Sequence, residues 1–306
     1  MSVASQPGEA ASPLSRRAAV LLFATVVLAW GTTWPVIKAI VQHVPPLWAS
    51  TIRSALAGAV LLGLHLVRRD LRLPPRGDLP VVVGIALLHM VAFAALIAVG
   101  MQFVPAGRSV VLGYTTLLWV VPGARLLLGE RIGARRAAGV AIGMAGLALM
   151  FNPLAFDWND GKAVLGNGLI LLGAFLWAAS ILQVRAHRWQ STPFQLVFWE
   201  VLLATLVLAL LAALLEDLPP IEWTAGLVLL FLYASVCGVA LAYWAMAMVN
   251  RSLPAVTTSL GILATPVVGT LTSALALGET VPLPLAAAMA LILGGIAVGT
   301  TAGAHR

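Results

Sequence analysis

The stretch VPAGRSVVLGYTTLLWVVPGARLLLGE runs from Val104 to Glu130. Its landmarks return 149 residues later. Pro105-Ala106 reappears as Pro254-Ala255, Thr116 as Thr265, and Leu128-Gly129-Glu130 as Leu277-Gly278-Glu279. Farther along, Ala137, Ala138 and Ala141 pair with Ala286, Ala287 and Ala290, and Gly146 with Gly295. Toward the start of each half the offset becomes 147, which pairs Trp30 with Trp177 and Lys38 with Arg185. The chain therefore reads as two copies of one unit.

The apolar interior of the quoted stretch is about as long as a helix needs to cross a bilayer core some 30 Å thick. Ten such runs follow one another, at about 18–38, 47–67, 80–100, 104–126, 132–151, 164–184, 194–214, 224–248, 253–276 and 281–302. Each copy holds five, an odd number, so the second copy must thread the membrane upside down. The expected fold is all-α and integral to the membrane, with ten transmembrane helices as two inverted five-helix repeats, 16–151 and 164–306. Residues 1–15 read as a disordered cytoplasmic tail, and 152–163 as an outer connecting loop. The first apolar run is too long, and lacks the cleavage site, for a signal peptide.

Composition agrees. Of 306 residues, 61% are hydrophobic and 9% charged, against roughly 45–50% and about 25% in a soluble domain. A soluble enzyme, a disordered protein and a nucleic-acid reader are excluded. One cysteine, Cys237, excludes a disulfide scaffold. The net charge, 18 − 11 = +7, reflects basic loops beside an anionic leaflet. With the N-terminus inside, 14 of the 18 basic residues fall on the cytoplasmic side, in loops such as Arg68–Arg76 and Arg131–Arg136. Lys38, Lys162 and Arg108 fall outside, among acidic outer residues such as Asp157, Asp160 and Glu216. This bias places both termini in the cytoplasm of a multi-pass inner-membrane protein.

Ala29-Trp30-Gly31-Thr32-Thr33-Trp34-Pro35 with Lys38, then Val104-Pro105-Ala106-Gly107 and Leu128-Gly129-Glu130-Arg131, carry a resemblance. So do Leu253-Pro254-Ala255-Val256, Thr265-Pro266-Val267 and Leu277-Gly278-Glu279. Together they resemble the EamA-type members of the drug/metabolite transporter superfamily, over about residues 18–302. The resemblance implies ten helices, cytoplasmic termini and export of small metabolites, commonly amino acids. Among members, the YddG-like aromatic amino-acid exporters are nearest in kind. One departure is visible: where a proline matching Pro266 is expected in the fourth helix stands Leu117, and Pro122 follows later.

Inverted repeats place a substrate site near the midplane, between the halves. Polar side chains at that depth are costly and hence candidates for function. His89 sits at the centre of the third span, where a neutral imidazole can donate and accept, or simply join two helices. Trp30, Trp34 and Lys38 share a face of the first span. Trp30 and Trp177 are repeat partners that could wall a cavity and meet an apolar group or an ammonium. Trp34 reads as structural or as part of an outer gate, and Lys38 as snorkelling to the headgroups. Thr33, Tyr114, Ser180 and Tyr233 are further lining candidates. Arg53 and Glu200 occupy equivalent positions near opposite faces, Arg53 at the outer mouth and Glu200 as a proton carrier, without pairing. Gln183 and Tyr243 are also lining candidates, nearer the inner face where they could help gate it, and Pro266 reads as a bend in the ninth span. Glu130 and Glu279 read as helix N-terminal groups. Gly139/Gly143 and Gly295/Gly299 suggest close packing of the fifth and tenth spans, within the bundle or in a weak dimer.

No metal-ligand spacing and no phosphate-binding loop is present, so no metal, cofactor or ATP is expected. The reading is a secondary transporter exporting small neutral or zwitterionic metabolites, most of all amino acids, by alternating access. Its partners are a small-molecule substrate and the bilayer, and it is a monomer or weak homodimer. A multidrug-cation/proton antiporter would need a central carboxylate, for which Glu200 is the candidate. A phosphate-sugar exchanger would need several central bases. An intramembrane enzyme would use His89 as base, but no nucleophile stands at motif spacing.

Overall fold

The computed structural model describes residues 15–129, 133–150, 158–217, 220–252, 262 and 264–301, and among them there is no strand. The first half supplies α1 (Arg16–Ile40), α2 (Pro46–Arg68), α3 (Leu79–Gly100), α4 (Ala106–Leu127) and α5 (Ala134–Met150). The second supplies α6 (Gly161–Ala186), α7 (Pro193–Leu215), α8, α9 (Ala264–Leu277) and α10 (Leu283–Thr301). Helix α8 runs unbroken through Ala225–Leu232, Tyr233–Leu241 and Ala242–Ser252. Helices α1–α4 and α6–α8 are long and apolar enough to cross a membrane, and α9 and α10 are shorter apolar helices. The tail 1–14, Glu130, and most of the segment 253–263 that opens the ninth span lie outside the described residues.

Local signals recur in pairs. Pro46 and Pro193 each occupy the first position of their helix, where the missing N–H costs nothing. Gly129 and Gly278 both take φ +66° just after α4 and α9, the left-handed ending that favours glycine. A π-helical segment interrupts α3 at Ile85–Phe93 and α8 at Tyr233–Leu241.

Packing repeats the same symmetry. α5 lies along α10 and α2 along α7. α1 packs on α8 and α9 as α6 packs on α3 and α4, and α2 meets α8 as α7 meets α3. Exchanging the halves maps this pattern onto itself. The glycine pairs are used within the chain: a Cβ on Gly295 would stand 2.5 Å from Gly139 O and Gly143 N, so α5 and α10 touch backbone to backbone.

The bend expected at Pro266 falls on residues outside the described ones: Pro266 stands in the first described turn of α9, and 253–261 and 263 precede it. Several other expectations are corrected. The discontinuity in α4 falls at Thr115, two residues before Leu117. There the hydroxyl of Thr115 donates to Leu112 O (2.6 Å) and that of Thr116 to Gly113 O (2.7 Å), competing with the helical ladder. Lys38 does not reach for headgroups: its ammonium donates to Met101 O and, at 3.1 Å, to Val104 O, at the end of α3. Glu279 serves not the helix that follows it but α4, in the other half, accepting from Ala106 N (2.6 Å) and Gly107 N (2.8 Å). Glu216 does the same for α2, through Leu47 N and Trp48 N at 2.9–3.1 Å. Both carboxylates meet the unpaired donors of a helix N-terminus.

At the opposite end, Asp78 ties the α2–α3 loop to the α6–α7 loop. Its carboxylate lies 2.8 Å from His187 Nε2 and accepts from Gln190 N at 3.1 Å. Burial works against its ionisation, but hydrogen bonds from His187, Gln190 and Ser191 outweigh it and hold the carboxyl below the ordinary value.

Candidate functional site

A cavity of about 150 Å³ opens between the halves. Helices α1, α2, α3 and α4 of the first half and α6, α7 and α8 of the second all contribute to its wall. That volume is roughly what a benzene-sized guest occupies in a protein interior.

Aromatic rings dominate it. His89 on α3 stacks on Trp177 of α6, with centroids 5.1 Å apart and planes 10° from parallel. Phe93, one turn on from His89, leans on the same Trp177 at 4.9 Å, and Tyr114 meets it edge-on at 5.9 Å. Trp30 meets Tyr243 edge-on at 6.0 Å, and its indole N–H donates to Gly238 O at 3.2 Å. The Tyr243 hydroxyl lies 3.3 Å from His89 Nε2, a long hydrogen bond.

The π-helical segments explain part of this placement. His89 lies within the one in α3, and Gly238 and Val239 within the one in α8. An i→i+5 turn shifts the helix face by the extra residue and leaves carbonyls less regularly paired. Gly238 O is then free to accept the Trp30 N–H.

Of the residues named from the sequence, Trp30, Thr33, Trp34, His89, Tyr114, Trp177, Arg53 and Tyr243 line the cavity. Thr33 spends its proton on Ala29 O at 2.6 Å. Tyr243, a lining candidate placed toward the inner face, belongs to the chamber wall. Arg53, expected at an outer mouth, also belongs to it. Among the described residues it makes no hydrogen bond or ion pair.

The others lie elsewhere. Ser180 is buried in α6 and Tyr233 meets the Thr32 hydroxyl, both away from the lining. Gln183 donates to Pro80 O at 2.8 Å, bracing α6 against the start of α3. Glu200 is buried on α7, 7% exposed, outside the lining and without an ion pair to Arg53. Pro266 is buried in the first described turn of α9.

Sequence reading missed Phe93, Met90 and Ile97 on α3 and Ser50 and Ser54 on α2, all of which line the cavity. For Phe93 and Ile97 a signal existed, since they follow His89 at spacings of four and eight along one helix face. For the serines none did, because small hydroxyls in a span usually bond their own helix, as Ser50 does with Pro46 O at 2.9 Å. Among the described residues, no group of three or more His, Cys, Asp or Glu could hold a metal.

Comparison with known proteins agrees with the doubled architecture. The EamA-like transporter family model matches twice, at 17–152 and 164–301. The chain is 26% identical over 297 residues to the uncharacterized transporter YvbV of Bacillus subtilis (strain 168), covering 94% of this chain and 93% of that one. It is 28% identical over 233 residues to a probable amino-acid metabolite efflux pump of Escherichia coli (strain K12), covering 72% and 74%. A solved crystal structure superimposes with a TM-score of 0.65 at 25% identity, covering 95% of this chain and all of that one. The chain belongs to the EamA-like transporter family, and it is a multi-pass membrane transporter, not an enzyme.

Proposed function

We propose that the protein exports small, largely apolar metabolites across the inner membrane by alternating access, amino acids with aromatic or other apolar side chains first among them. The observation that carries this reading is the His89–Trp177 stack, which joins a ring from one half to a ring from the other inside the cavity. Rocking the halves parts or closes that pair, so a flat apolar ligand held there experiences both arrangements. The printed name of the Escherichia coli relative supports the amino-acid class. A cationic drug would call for a carboxylate in the wall, and Glu200 is not in it.

The test is flux of labelled amino acids in proteoliposomes, with and without a pH gradient. Saturable flux of aromatic members supports the reading, and no saturable flux across a broad panel overturns it. Flux indifferent to the gradient removes Glu200 from any coupling role.

A further inference from the structure

Arg53 is the one charged side chain among the described residues that line the cavity. It shares that wall with Trp30, His89, Trp177 and Tyr243, and it lies within electrostatic range of His89 and Tyr243. Among the described residues no carboxylate pairs with it, and its repeat counterpart Glu200 sits outside the lining. An uncompensated guanidinium inside a lipid-embedded bundle is a costly arrangement. A ligand that brings a carboxylate relieves that cost, and the planar guanidinium fork matches a carboxylate in bidentate fashion. Among the described residues the wall offers no acidic partner to an ammonium. Much of the remaining surface is rings and aliphatic side chains, with Thr33, Ser50 and Ser54 as the small hydroxyls, and it suits a flat apolar body.

We propose that Arg53 clamps the carboxylate of the substrate while the His89–Trp177 side of the chamber takes an aromatic body, so the substrate class is the aromatic monocarboxylates. This rests on the reading of the chamber as the transport site. An α-ammonium contributes nothing to recognition: phenylalanine is accepted for its ring and acid, and the acid lacking the amine binds at least as well. A substrate that lacks the amine then carries one negative charge. An inside-negative membrane potential drives it outward, with 100 mV worth about 2.3 kcal/mol per charge, or about a 50-fold gradient.

The experiment is calorimetric titration of the purified full chain with phenylacetate, phenylalanine and phenethylamine, paired with flux of each in proteoliposomes under an imposed potassium diffusion potential. Phenylacetate is expected to bind at least as tightly as phenylalanine and more than tenfold tighter than phenethylamine. Its flux should respond to the potential while that of phenylalanine does not. Arg53→Gln should weaken phenylacetate about 10- to 100-fold, and Arg53→Lys, which keeps charge but loses the fork, about 3- to 10-fold. The wild-type ranking needs no variant and decides the matter if Arg53→Gln fails to fold. Tightest binding by phenethylamine, phenylalanine bound with phenylacetate excluded, or unchanged phenylacetate affinity in folded Arg53→Gln overturns the assignment and leaves the transport reading standing. No flux of any probe or amino acid overturns that reading as well.

Discussion

The Glu279 carboxylate accepts the backbone N–H of Gly107 at 2.8 Å, across the boundary between the two halves. With Ala106 N also bound and Lys38 holding the end of α3, four helices are gathered at the end of the bundle that the charge bias assigns to the outside. The arrangement uses partial charges that every helix terminus carries, so it needs no buried ion pair.

Glu279→Gln should weaken this tie, because a neutral amide offers one acceptor oxygen where the carboxylate offers two. The expected loss is about 1–2 kcal/mol, read as a drop of a few degrees in the apparent Tm of the detergent-solubilised protein. An unchanged melting curve would show that the α4 N-terminus is held by other contacts.

The stacked pair makes a functional prediction. Trp177→Ala or His89→Ala should raise the half-saturating substrate concentration about 2- to 12-fold, the factor that ring contacts of about 0.5–1.5 kcal/mol correspond to. Trp177→Phe, which keeps a ring, should fall between. Unchanged kinetics in well-folded variants would remove the pair from the substrate's surroundings.

Packing of α5 against α10 tolerates nothing larger than glycine at the crossing. Gly295→Ala puts a methyl 2.5 Å from Gly139 O, so the helices must separate, at a cost of about 1–3 kcal/mol. Gly294→Ala is the control, since a Cβ there meets nothing within 4 Å. Size-exclusion profiles after heating should show loss of the first variant before the second.

Asp78 makes a pH prediction. Its folded carboxyl lies below the ordinary value, so the ionised form stabilises the protein above an unfolded pKa of about 3.9, and that contribution is lost as pH falls through the folded value. Asp78→Asn should lower stability at pH 7 by about 1–3 kcal/mol, and the gap from wild type should narrow toward pH 3. A gap that stays constant down to pH 3 would contradict the assigned role. Proteolysis of the loops around Asp78 and His187 would follow the same trend.

The sequence by itself determined the number of halves, the identity of the spans and their mutual inversion. Apolar runs of membrane length must become helices, since lipid offers the backbone no other partner, and the 149-residue recurrence is visible letter by letter. It also named Trp30, His89, Tyr114 and Trp177, because polar or indole groups at mid-span are few. Tertiary structure alone decided that Arg53 faces the chamber, and that of the lining candidates Tyr243 does while Ser180, Tyr233 and Gln183 do not, with Glu200 also outside it. In a helix apolar on every side, periodicity does not say which face looks inward, and the π-helical turns in α3 and α8 shift that face again. The partner of Glu279 was likewise hidden, since its ligands lie 172 and 173 residues away in the chain and become neighbours only when the inverted halves interlock.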